Sequence, residues 1–144
     1  DKELPLDKAP PGAVKAVKEK YPQAQIVRVE QADDDGRTVF EFTLQAGDRK
    51  MEAEFTADGK FVKAEEEVTE KDMPQVVMAA FKQKYPAAKP TKMEKVTKGD
   101  GAAATVVYEF DFKDADREVE AYFSPDGKLV GQKEPKGDKK DKEE

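Results

Sequence analysis

Glu109 and Glu120 fall on two consecutive runs of alternating residues and would face each other across neighbouring strands. A glycosidase places two carboxyls in this way, one to give a proton and one to act on the sugar ring. That chemistry needs a cleft and one carboxyl of raised pKa, and an open, charged sheet face is expected to supply neither. Asp33-Asp34-Asp35-Gly36 suggests calcium instead, because hard cations take carboxylate oxygens. The spacing is not that of an EF-hand, since Leu44 stands where the loop wants its closing acid; whether this hairpin binds calcium stays open. Nucleophilic chemistry is closed off more firmly. The chain has no Cys and no His, and its one serine, Ser124, sits between Phe123 and Pro125 with no imidazole to activate it. Thiolate and Ser-His-Asp mechanisms are therefore excluded. No catalytic residue, metal or cofactor is assigned, and the chain is read as non-enzymatic.

Composition narrows the partner. Of 144 residues, 40% are charged and 37% hydrophobic, so each core is lean. A net charge of -6 and a pI near 5.0 argue against nucleic acid, whose binding needs a basic surface to release counterions. The expected partners are neutral or cationic proteins or peptides. No apolar run approaches the length of a membrane span. The chain opens Asp1-Lys2-Glu3-Leu4 without Met, as an exported protein would after loss of a signal peptide, or a trimmed one. A periplasmic or secreted location is expected.

The elements that position these carboxylates occur twice. Ala16-Val17-Lys18-Glu19-Lys20-Tyr21-Pro22 matches Ala80-Phe81-Lys82-Gln83-Lys84-Tyr85-Pro86, so that Tyr85 lies 64 residues after Tyr21. Val39-Phe40-Glu41-Phe42 matches Val107-Tyr108-Glu109-Phe110 at a distance of 68 residues. The same distance carries Asp48–Phe55 onto Asp116–Phe123, and Asp58–Val62 onto Asp126–Val130. The second copy thus has four extra residues between its first two strands, and Gly99–Ala104 is the place for them.

Each copy opens on proline, Pro10-Pro11 or Pro74, which suits a first helical turn. Ala13, Ala16, Val17 and Tyr21 in one copy, and Val77, Ala80, Phe81 and Tyr85 in the other, recur at helical spacing. The Tyr-Pro pair ends the helix, because a residue before proline is pushed out of the α region. After it the period changes to two. Phe40, Phe42 and Leu44 share one face against Glu41 and Thr43; Tyr108, Phe110 and Phe112 oppose Glu109 and Asp111. Met51, Ala53 and Phe55, matched by Val119, Ala121 and Phe123, mark the next strand. Asp35-Gly36, Asp58-Gly59, Asp100-Gly101 and Asp126-Gly127 predict tight hairpins, and Ala46-Gly47-Asp48 and Asp114-Ala115-Asp116 add a turn each. The predicted fold is α+β: two tandem α-β-β-β-β repeats whose antiparallel meander sheets join into one sheet of about eight strands with both helices on one face. The first repeat is placed at residues 1–67, a linker at 68–73, the second repeat at 74–134 and a disordered charged tail at 135–144. Whether the two sheets are continuous is not settled by the pattern.

The Lys-x-Tyr-Pro helix end and the strand, Asp-Gly, strand unit of Met51–Val62, both present twice, resemble the PepSY-like family, also described as β-lactamase-inhibitor-protein-like. The resemblance covers nearly the whole chain to about Glu134. It implies secreted or periplasmic bacterial proteins with tandem helix-plus-four-strand modules, and a sheet surface that grips another protein. This chain departs from the inhibitor protein in having no cysteines.

Strand parity places Glu30, Glu41, Glu52, Glu54, Glu94, Glu109, Asp111, Glu118 and Glu120 on the polar sheet face, against Arg28, Lys50 and Lys92. Such a face is either simply solvated or captures a cationic peptide or protein patch. The candidate partner-binding residues are Glu41, Glu52, Glu54, Glu109, Glu118, Glu120 and Tyr122, the tyrosine as an interface anchor. The expected function is an exported protein- or peptide-binding module, with inhibition or regulation of an exported enzyme such as a protease within its scope. The alternative is a structural or envelope-associated protein, or a small-ligand sensor. Partner identity, inhibition and oligomeric state lie beyond the sequence.

Overall fold

A computed structural model describes residues 1–134; the tail expected at 135–144 lies outside the described residues. The elements run β1 (Lys2–Leu4), α1 (Pro11–Lys20), β2 (Gln25–Asp34), β3 (Arg37–Ala46), β4 (Arg49–Phe55) and β5 (Phe61–Glu67). They continue with α2 (Gln75–Lys84), β6 (Lys92–Lys98), β7 (Thr105–Asp114), β8 (Arg117–Phe123) and β9 (Leu129–Lys133). The nine strands follow chain order through a single sheet. The ninth strand, beyond the eight expected, is β1, whose Lys2–Leu4 pairs antiparallel with Val29–Gln31. Three residues are too few for alternation to reveal. The described residues form two compact units, one of residues 1–66 with 97–105, the other of 67–96 with 106–134.

In the first unit α1 begins with Pro11 and ends at Tyr21, whose φ of -127° and ψ of 66° lie outside the helical region, as the following Pro22 demands. Ala13 and Val17 of the helical stripe are fully buried, against Val29, Phe42, Leu44, Ala53 and Phe55 of the sheet. The second unit repeats this around α2, with Val77 and Phe81 beneath Phe110, Phe112, Val119, Ala121 and Phe123. Phe81 stacks on Phe110 with ring centroids 4.2 Å apart and planes 8° from parallel. Burying one such ring contributes about 2 to 3 kcal/mol over leaving it in water, so the helices are held by their stripes and not by helical propensity.

Asp35 and Gly36 take φ of 54° and 77°, the two positive values of a type I′ hairpin. The Asp-Gly pairs at 58–59 and 126–127 behave otherwise. Thr56 N–H bonds to the Lys60 carbonyl at 2.9 Å and Gly59 N–H to that of Thr56 at 3.0 Å, closing a longer loop that lies under α1. A Cβ on Gly59 would stand 2.8 Å from the Gly12 carbonyl oxygen, and one on Gly127 2.8 Å from Val76 Cγ1 of α2. These glycines serve close helix–loop approach. Nor does Asp100-Gly101 make a tight hairpin: Gly101–Ala103 forms a 3-10 turn in the extra segment of the second repeat. That segment belongs to the first unit, where Gly99 N–H bonds to the Val62 carbonyl at 3.0 Å and Asp100 pairs with Lys20 at 3.9 Å.

Candidate functional site

The polar side of the first unit is laid out by register. Glu3 pairs with Glu30, Glu30 with Glu41, Glu41 with Glu54, and Glu54 with Lys63, giving four glutamates and one lysine in one row across five strands. In the next row Arg28 pairs with Thr43, Thr43 with Glu52, and Glu52 with Glu65. Like charges directly opposite each other destabilise a sheet, so this face is held together by the core on its other side.

Lys63 was not among the expected cations, and the reason is a bulge. Phe55 pairs with Phe61 but Glu54 with Lys63, so Val62 is an extra residue and the alternation of β5 changes phase. Phe61 packs on the core while Lys63, two residues on, joins the polar face, its Nζ 3.9 Å from Glu54 Oε2. Glu65 was missed for the same reason. Of the expected cations, Arg28 pairs with Glu30 and with Glu3, Lys92 pairs with Glu94 at 3.4 Å, and Lys50 is exposed.

The expected open face is corrected by burial. Glu54, Glu94 and Glu109 are each less than a tenth exposed, and Glu41, Glu52, Glu120 and Tyr122 are half-buried; Glu118 alone of the seven candidates is exposed. The parity that carries Glu41 also carries Val39, which is completely buried. Glu54 Oε1 is buried with no hydrogen-bond partner, and burial raises its pKa despite Lys63.

Three first-unit carboxylates converge: Glu41, Glu52 and Glu65 each bring an oxygen within 4.8 Å of the others. Burial, and then the charges of Glu52, Glu54, Glu30 and Glu65, push the Glu41 carboxyl up to about 7. The raised carboxyl that the sequence reading denied this face is therefore present.

In the second unit Glu109, Asp111 and Glu120 form a like cluster within 4.8 Å. Glu109 is raised to about 9 by burial, by a hydrogen bond with Asp111 and by the surrounding carboxylates. Protonated Glu109 can donate to Asp111, leaving Asp111 Oδ1 buried and unpaired. Asp111 pairs with Glu120 and Glu109 with Tyr122, whose hydroxyl donates to Glu120 and is itself raised by burial and that bond. The second bulge puts Gly131 opposite Tyr122 and Lys133 opposite Glu120; Lys133 Nζ stands 5.5 Å from the tyrosine ring centroid. By the repeat spacing, Tyr122 and Gly131 occupy the positions of Glu54 and Lys63, and Lys133 that of Glu65. Glu118 sits apart, opposite Lys113. In the Asp33–Asp35 hairpin Asp34 pairs with Arg37 at 3.8 Å.

A family model described as "Putative beta-lactamase-inhibitor-like, PepSY-like" matches residues 38–131, and one described as "Peptidase propeptide and YPEB domain" matches residues 13–61. The chain belongs to the PepSY-like family. The PepSY-like fold is shared with solved structures of low sequence identity. A BLIP-like protein from Bacteroides fragilis is 20% identical with a TM-score of 0.72, the alignment covering 91% of this chain and 87% of that one. A structure from Bacteroides eggerthii described as "putative periplasmic proteins" is 17% identical with a TM-score of 0.72, covering 88% of each chain. A DUF2874 family protein from Bacteroides ovatus is 17% identical with a TM-score of 0.73, covering 89% of each. No curated protein matches the chain. Among the described residues, no helix of this PepSY-like chain is long and apolar enough to cross a membrane.

Proposed function

We propose that the chain is an exported, non-enzymatic module that binds a cationic segment of another protein or peptide on the acidic face of its first repeat. The observation that carries this reading is the convergence of Glu41, Glu52 and Glu65 within 4.8 Å, with Glu41 raised to about 7 by burial and by its acidic neighbours. A lysine or arginine side chain set among three carboxylates relieves their repulsion and returns Glu41 to its charged form. Inhibition or regulation of an exported enzyme is the use of such binding that a β-lactamase-inhibitor-like family supports. Periplasmic or secreted placement is supported by the neighbour described as periplasmic.

Calorimetric titration with a lysine-rich peptide tests the reading, with the lysine-acetylated peptide as control. Expected are binding that weakens with salt, release of a proton near neutral pH as Glu41 ionises, and loss of both on Glu52→Lys. Equal heats for the two peptides would sink it.

A second reading rests on a cavity of about 170 Å³ lined by Thr91, Asp111, Phe112, Lys113, Glu118, Val119 and Glu120. It is the size of a small polar ligand and supports a sensor role for the second repeat. A compound that raises the melting temperature and loses its effect on Glu120→Lys would favour this reading over the first.

A further inference from the structure

We infer that β9 is a self-association edge, and that two copies of the chain pair β9 with β9, antiparallel about Gly131. The repeat itself shows what this edge lacks. In β5 the carbonyl of Val62, the bulged residue, receives the N–H of Gly99 at 3.0 Å, and Phe61 and Val62 are partly covered. Val130 stands in the equivalent bulge of β9, and among the described residues no loop N–H reaches its carbonyl. Leu129 and Val130 are 39% and 56% exposed. In the strand order β9 has β8 on one side and no described strand on the other. An unpaired row of backbone N–H and C=O groups beside exposed aliphatic side chains is a template for another strand.

The segment Lys128-Leu129-Val130-Gly131-Gln132-Lys133-Glu134 carries opposite charges at its two ends. Turned antiparallel about Gly131, it sets Lys128 against Glu134 of the second copy, at both ends, Leu129 against the aliphatic stem of Lys133, and Val130 against Gln132. Gly131 meets itself at the centre, where the absence of side chains lets the strands approach. Lys128 is 80% exposed with Asp126 at 3.9 Å, and Glu134 pairs with Arg117, so both are held by ion pairs with exposed partners of the sort that re-form at little cost. A five-residue edge buries less than a stable interface needs, which makes the dimer weak and concentration-dependent. The opposite edge, β1, is three residues long, and its Lys2 and Glu3 are exposed charges that guard it.

The test is sedimentation of the full chain from low micromolar to near-millimolar concentration, with hydrogen exchange followed at the Val130 and Gln132 amides. A monomer–dimer equilibrium is expected, with protection of these amides rising with concentration. Lys128→Glu puts like charges at both ends and weakens the dimer about tenfold, while Lys128→Glu with Glu134→Lys restores it; circular dichroism confirms that both variants fold. A monomer at every concentration, a dimer indifferent to the swaps, or protection of Val130 that does not depend on concentration, as when the chain's own tail or a bound peptide covers the edge, would each overturn the inference.

Discussion

Glu41 stands directly opposite Glu54 in the β3–β4 register, two half-buried or buried carboxylates in one cross-strand pair, with Lys63 reaching only the second of them. Burial first, and then the charges of Glu52, Glu54 and other neighbouring carboxylates, raise the Glu41 carboxyl to about 7.

Stability should therefore fall as pH rises. Glu41 and Glu109 have folded pKa values raised from 4.5 to about 7 and about 9. A group raised in this way contributes stability that is complete below 4.5 and is lost as pH climbs through the folded value. The melting temperature is expected to drop between about pH 5 and pH 9. Glu41→Gln should flatten the part of the fall below about pH 7, and Glu109→Gln should reduce it across the whole window up to about pH 9. Asp58 and Asp126 are lowered by their hydrogen bonds with Thr56 and Ser124, and so act in the opposite sense only below their ordinary 3.8. A melting temperature level or rising across the window would contradict the burial of these carboxyls.

Removing the one cation of the row should expose its cost. Lys63→Met leaves Glu54 buried with one oxygen already unpaired, and is expected to destabilise by about 1 to 2 kcal/mol at pH 8. The loss should shrink at pH 5, where Glu54 protonates more easily. Glu54→Gln in the same chain should recover most of it in urea unfolding; no recovery would show that Lys63 acts through packing alone.

Ala115 sits at φ 58°, in the left-handed region, where the first repeat places Gly47 at φ 64°. A side chain there costs about 1 to 2 kcal/mol, offset in part by the entropy glycine would lose on folding. Ala115→Gly is expected to stabilise by about 0.5 to 1 kcal/mol, and Gly47→Ala to destabilise by a similar amount. Signs reversed from these, or no change in either variant, in denaturant titrations would show that the turn relaxes.

Phe81 touches Tyr85, Phe110, Phe112 and Phe123, whereas the same place in the first repeat holds the smaller Val17. Phe81→Ala should cost about 4 kcal/mol and Val17→Ala about 2. Comparable losses measured by chemical unfolding would mean that the second core closes over the cavity.

Gly59 combines φ 95° with a Cβ position 2.8 Å from backbone oxygen of α1. Neither strain nor clash can be relieved by a side-chain rotation, so Gly59→Ala should destabilise by about 3 kcal/mol. A neutral result in thermal unfolding would remove the argument that the loop supports the helix.

The duplication, the helix stripes ending at Tyr21 and Tyr85, and the alternation of β3, β4, β7 and β8 were all legible in the residues, because each is a local rule acting over a few positions. Gly99–Ala104 was also identifiable as extra chain, from the change in repeat distance alone. The approach of Gly59 and Gly127 to the helices was not, since Asp-Gly reads the same in a tight hairpin and in a loop under a helix.

The acidic face divides along the same line. Its glutamates follow from parity in β3 and β4, but the bulges before Lys63 and Gly131 reverse the phase of β5 and β9, and a one-residue register change has no signature in a run such as Phe61-Val62-Lys63-Ala64. Membership of the face, by contrast, says nothing of its charge state. Composition and order settle which carboxyls a strand carries; only packing in three dimensions decides which of them lose water and meet one another, as Glu41 and Glu109 do while Glu118 stays exposed.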